Sequence, residues 1–145
     1  MASITKSAFI LAALLLPLSA MAADAQDQNQ LIDQAVSLTF EIYETHGMPG
    51  LKQNSQDCYQ YVNDKVNEKF LCIYLDTAAQ QIDRAIADPL NAPRNPYFDN
   101  KQFLDRAGIV LHRSGMSMRD ANAFLNQIYQ QVEASLNRAI NDADR

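Results

Sequence analysis

Ser55-Gln56-Asp57-Cys58-Tyr59-Gln60-Tyr61-Val62, then Asn63-Asp64-Lys65-Val66-Asn67, then Glu68-Lys69-Phe70-Leu71-Cys72-Ile73-Tyr74-Leu75-Asp76, is the stretch on which the fold turns. It holds the chain's two cysteines, with a polar cluster midway between them. A continuous helix through all of it would hold Cys58 and Cys72 about 21 Å apart, at 1.5 Å per residue. No disulfide spans that distance. If the helix breaks near Asn63–Asn67, the flanking helices can fold back as an antiparallel hairpin with the cysteines face to face. A Cys58–Cys72 disulfide and a helical hairpin therefore require one another.

Apolar spacing outward from the hairpin is helical nearly everywhere, and four glycines in 145 residues argue against a turn-rich β fold. The second limb predicts a helix from Glu68 to Asp88, with Leu71, Leu75, Ala78, Ile82 and Ala85 on its face and Pro89 as its stop. Upstream, Leu31, Ala35, Leu38 and Ile42, beside Ile32, Val36, Thr39 and Tyr43, predict a broad-faced helix over Asn29–His46. Gly47 then stops it, Met48-Pro49-Gly50 forms a loop, and Ser55 caps a short helix. Downstream, Asp88 to Pro96 is one long loop with three prolines. Asp99-Asn100-Lys101-Gln102 resembles a capping box opening a helix faced by Phe103, Leu104, Ala107, Val110 and Leu111. Gly115 ends that helix. Ser117 opens the last, striped by Met118, Ala121, Leu125, Ile128, Val132, Leu136 and Ala139 to about Ile140. The expected fold is all-α: a small bundle of four main helices plus a short one, with one intramolecular disulfide.

The disulfide needs an oxidising compartment, and the N-terminus supplies the reason. Lys6 precedes an apolar run from Ala8 to Leu16, Pro17 breaks it, and Ala20-Met21-Ala22 is a small-x-small cleavage site. These are the three parts of a bacterial Sec-type signal peptide. The run is about half the roughly 20 residues a spanning helix needs. Residues 1–22 are expected to be removed, leaving 23–145 as a single α-helical domain with frayed ends. Such a protein would be periplasmic or secreted, with no membrane insertion after cleavage.

The formal charge of −5 becomes about −6 once Lys6 is removed. That balance argues against nucleic acid and anionic membranes, which call for Lys/Arg patches. It suits solubility, and it suits a basic partner.

Chemistry-bearing motifs are few. His46 and His112 stand near helix C-termini, where a cation is favoured, and neither has ligands at metal spacing. No cofactor motif is present. Ser114 and Ser117 flank Gly115 in a stop-and-cap pattern, not a nucleophile elbow. Asp76 lies one turn beyond Cys72, so it leans inward and needs a partner; Arg106 is the candidate. An enzyme would need a carboxylate cluster built across helices, and Asp76, Asp83 and Asp105 are the inward-leaning candidates. The long loop offers Arg94, Tyr97 and Phe98, residue types enriched at binding hot spots. Phe98 also fits the N′ position of a hydrophobic staple against Phe103.

The expected function is a non-catalytic binding protein of the extracytoplasmic space. It would act by protein–protein contact, as an inhibitor, immunity protein or adaptor. Alternatives are an enzyme using that carboxylate cluster, or a carrier of a small apolar ligand. In outline alone (small, acidic, helical, exported, disulfide-bonded) the chain resembles the immunity proteins that neutralise secreted cell-wall amidases. That resemblance carries no individual residue over.

Overall fold

The structure, a computed structural model, describes residues 18–61 and 66–143. Residues 1–17 of the expected leader lie outside these, as do residues 62–65 of the hairpin turn. Among the described residues four α-helices form an all-α bundle: α1 Leu18–Tyr61, α2 Val66–Ala87, α3 Asn100–Arg113 and α4 Met118–Ala143, with a 3-10 turn at Pro96–Phe98. Cys58 and Cys72 are bonded, their Cα atoms 5.6 Å apart. The disulfide and the helix break occur together, as the cysteine spacing requires. Helix α1 stops at Tyr61 and α2 starts at Val66.

The bend in α1 departs from expectation. Gly47 alone leaves helical geometry, at φ 64° and ψ −162°, and the chain resumes helix at once. No Met48–Gly50 loop intervenes. Pro49 is tolerated because it lies in the first turn after the break, where its missing N–H costs no helical bond. Ser55 is therefore not a cap; it is a buried residue in the middle of a helix. The turn at Gly47 is sharp. The Gln28 side chain meets the Tyr74 phenol, while Ser55 meets Asp76. A straight helix would separate Gln28 from Ser55 by about 40 Å, yet Tyr74 and Asp76 are about 3 Å apart along α2. Both limbs of α1 must return to one stretch of α2.

Gly47 adopts a region essentially confined to glycine. A Cβ placed there would meet only ordinary contact, Pro49 Cδ at 3.6 Å, so an alanine would suffer from the backbone conformation and not from crowding. Gly47→Ala is expected to destabilise the fold by about 1–3 kcal/mol, read as a lower urea midpoint at unchanged slope. An unchanged midpoint would show that the break does not need this conformation.

Helix α2 is the centre of the bundle: every residue from Cys72 to Asp83 is buried. Its apolar residues Tyr74, Leu75, Ala78, Ala79 and Ile82 pack with Ile32, Ala35 and Val36 of α1 and Ile128, Val132 and Leu136 of α4. Ile73 packs into a second cluster with Phe103, Ala107, Leu111 and Leu125. Each buried aliphatic or aromatic side chain contributes about 1.5–3 kcal/mol. Buried polar groups need partners to be tolerated, and those on α2 have them. Thr77 Oγ1 donates to the Ile73 carbonyl (2.7 Å), Gln80 Nε2 to that of Phe98 (2.9 Å) and Gln81 Nε2 to that of Tyr129 (2.9 Å). Asp83 accepts the Asn95 N–H on both oxygens, at 3.1 and 3.2 Å. These bonds fasten the proline-rich loop and α4 onto α2.

The remaining helix ends follow the expected chemistry. Asp99 caps α3 by accepting from Gln102 N at 2.8 Å, and Ser117 Oγ caps α4 by accepting from Asp120 N at 3.1 Å. Helix α4 continues to Ala143. Four residues given core positions by spacing alone are exposed, Ala85 of α2 and Leu104 of α3 among them. Met118, in the first turn of α4, is 84% exposed, and Leu38 of α1 is also exposed. Among the described residues no helix is long and apolar enough to cross a membrane.

Candidate functional site

The polar heart of the molecule is a five-residue cluster assembled from four elements. Asp76 of α2 is fully buried, with 0% of its side chain exposed, and Arg106 of α3 is 16% exposed. Arg106 Nε donates to Asp76 Oδ2 at 3.0 Å and Nη2 donates to Oδ1 at 3.1 Å. This two-pronged geometry is the strong form of an ion pair. Tyr59 of α1 donates its phenol to Asp76 Oδ2 at 3.2 Å, and the Ser55 hydroxyl also supports the carboxylate. Ser55 Oγ lies 3.0 Å from the Tyr97 phenol. The Arg106 guanidinium lies over the Tyr97 ring, 3.8 Å from its centroid, within cation–π range.

The electrostatics follow from burial. Loss of water pushes the Asp76 carboxyl above the usual range, and the Arg106 hydrogen bonds and charge pull against that rise, helped by Ser55 and Tyr59. Burial, then the negative charge of Asp76, raise the Tyr59 phenol well above its ordinary value. Tyr59 is therefore a donor throughout the physiological range. Burial raises the Tyr97 phenol as well.

The cluster opens on one side to a cleft of about 560 Å³, lined by Gln53, Gln56, Asp57, Tyr59, Gln60, Tyr97 and Arg106. The glutamines and Asp57 come from consecutive turns of one α1 face, and Gln53 Nε2 holds Asp57 Oδ1 at 2.8 Å.

The loop residues chosen from sequence are not gathered into a projecting surface. Arg94 forks onto Asp88, with contacts of 2.8–2.9 Å. Asn95 caps the 3-10 turn by accepting from Tyr97 N at 3.0 Å. Tyr97 is half-buried in the cluster above, its ring edge-on to Phe98 with centroids 5.0 Å apart. Phe98 is 2% exposed and packs in the main core. It is not exposed to a partner, and Phe103, its expected staple partner, packs in the other apolar cluster. Gln80 and Asp83 draw the loop inward and so decide this outcome.

The carboxylates divide in the same way. Asp76 and Asp83 are both buried, and each is occupied by its own partners. Asp105 is not inward. It is exposed and paired with Lys101 at 2.8 Å across one helical turn. No catalytic carboxylate pair forms from these three. Among the described residues no group of three or more His, Cys, Asp or Glu is placed to hold a metal ion. His46 is exposed, its Nδ1 2.7 Å from Thr45 Oγ1, and His112 stands in the last turn of α3.

A second concavity lies across α1, α2 and α4. It is an open groove of about 640 Å³ with Phe40, Tyr43, Ile82, Ile86, Leu136 and Ile140 as its apolar lining and Arg84, Arg94, Asp88 and Glu133 as its charges. Arg84 is fixed there: Nη1 donates to the Tyr129 phenol at 3.1 Å, and Nη2 bonds Asn100 Oδ1.

Sequence reasoning missed Ser55 and Tyr59 as members of the cluster. The signal was present. An antiparallel register pinned by Cys58 opposite Cys72 brings residues one turn before Cys58 opposite those one turn after Cys72. That places Ser55 against Asp76. The chain matches no family model, no curated protein and no solved structure.

Proposed function

We propose that this is an extracytoplasmic, non-catalytic binding protein, exported by its N-terminal signal peptide, that acts by contact with another protein as an inhibitor, immunity protein or adaptor. The observation that supports the reading best is the groove of about 640 Å³ across α1, α2 and α4. Its apolar lining, with aromatic and arginine side chains at hand, has the composition of an interface core. Residues that line it without being needed in the core are available as contacts: Ile140 is 48% exposed. A disulfide formed within the chain agrees with an oxidising compartment, and the acidic balance favours a basic partner.

The experiment isolates the partner from periplasmic extract on the wild-type protein and then measures its affinity for purified variants. Ile140→Glu and Tyr43→Ala are each expected to weaken binding by about tenfold, or 1.4 kcal/mol, and added salt is expected to weaken the wild type. If both variants hold the same partner at wild-type affinity, the groove is not the contact surface. A small apolar ligand is the second reading, because the groove volume falls in the range of ligand pockets. Solvent extraction of the purified protein followed by mass spectrometry separates the two.

A further inference from the structure

The Asp76–Arg106 pair does more than neutralise a buried charge. An arginine has five N–H groups in a rigid fork. Asp76 takes one from Nε and one from Nη2. The rest, including both on Nη1, find no acceptor among the described residues. Arg106 nonetheless lines the open cleft, and its plane is held by the carboxylate on one edge and by the Tyr97 ring against its face. A guanidinium fixed in this way has already lost the freedom a binding event would otherwise remove. The Lys52 ammonium, 5.9 Å from the centroid of the same Tyr97 ring, is a second cation beside the site.

The opposite wall has a different chemistry. Gln56 and Gln60 offer amides that both donate and accept. Asp57, held by Gln53, offers an acceptor. A simple anion would use Arg106 and be repelled by Asp57. A ligand bearing a carboxylate at one end and amide N–H groups beside it would use both walls. A peptide C-terminus has that arrangement.

We propose that this cleft binds the C-terminal carboxylate of a peptide, with the free edge of Arg106 on the carboxylate and Gln56, Asp57 and Gln60 on the adjoining amides. The site is separate from the groove across α1, α2 and α4, and it stands or falls without that reading.

The test is titration of the full mature protein, followed by calorimetry and by the Arg106 side-chain NMR resonances. The probes are acetyl-Ala-Ala with a free carboxylate, the same peptide as its C-terminal amide, and acetate alone. The free peptide is expected to bind saturably and to shift the Arg106 resonances. The amide should bind at least tenfold more weakly, and acetate at least tenfold more weakly again. Arg106 variants can lose the fold, so the decisive variant is Gln56→Ala with Gln60→Ala. Both side chains are exposed on the α1 surface. That double variant should weaken the free peptide threefold or more at an unchanged melting temperature. Equal binding of acid and amide, or no saturable binding of the peptide, overturns the proposal. Acetate binding as tightly as the peptide overturns the peptide assignment, and so does full affinity in the Gln56/Gln60 variant.

Discussion

Arg106→Gln is expected to destabilise the protein by about 3–5 kcal/mol at neutral pH, the cost of removing one partner from a buried ion pair. The residue left behind is the reason. Asp76 is fully buried, and Tyr59 and Ser55 support its carboxylate without supplying a charge. Burial already lifts the Asp76 carboxyl above its unfolded value, and Arg106 is the largest influence holding it down. Without Arg106 the folded-state value rises further. A carboxyl with a raised folded value binds its proton more tightly in the native state, so its contribution to stability is greatest below the unfolded value of about 3.9. That contribution is lost as pH rises through the window up to the folded value. The deficit of Arg106→Gln relative to wild type should therefore shrink on acidification from neutrality toward pH 5. Arg106→Gln combined with Asp76→Asn, which leaves no buried charge, should recover most of the loss at neutral pH. Urea denaturation at pH 5 and pH 7.5 on the three proteins decides the matter. A deficit that grows toward pH 5, or a double variant no better than the single, would show that Asp76 is not the group left stranded.

How far the sequence specified this arrangement depends on which interactions had a periodic signature. The bundle and the disulfide were legible, because helical apolar spacing and the geometry of two cysteines each constrain the chain independently of context. The inward lean of Asp76 was legible from its position one turn beyond Cys72. Helix phase places Asp105 outside, against the expected inward lean. The buried line of α3 is Phe103, Ala107 and Leu111, and Asp105 lies about 200° round from Ala107, on the solvent side with Lys101. Serine's preference for N-caps is a local tendency, and at Ser55 tertiary burial overrides it. Once Gly47 turns the chain within a single residue, helix is already established by Ser55, and its hydroxyl goes to Tyr97. The loop was the least legible part. Prolines, an arginine and two aromatics read as an exposed recognition segment. The residues that pull the segment inward, Gln80 and Asp83, lie on α2, and nothing in the loop's own sequence announces them.

Removing the disulfide as Cys58→Ser with Cys72→Ser is expected to cost about 3 kcal/mol, the chain-entropy value for a closed loop of about 15 residues. The cross-link joins positions 14 apart across the α1–α2 break, so it restricts the unfolded chain, and it also sets the register between the two helices. The second role reaches the polar cluster. Cys58 adjoins Tyr59, and Cys72 stands one turn from Asp76. A helix pair free to slip would loosen the Tyr59 and Ser55 contacts to the carboxylate together. The loss from the serine pair and the loss from Arg106→Gln should then not add. Residues sharing one network show interaction energies of about 0.5–3 kcal/mol, and the triple variant should fall short of the summed losses by an amount in that range. Urea denaturation of the wild type, the serine pair, Arg106→Gln and the triple variant measures the coupling directly, and thiol reduction of the wild type should reproduce the serine pair. Strict additivity would confine the cross-link to the unfolded state. A serine pair within about 0.5 kcal/mol of wild type would remove it from the stability account altogether, leaving α2 and its buried polar contacts to hold the hairpin closed.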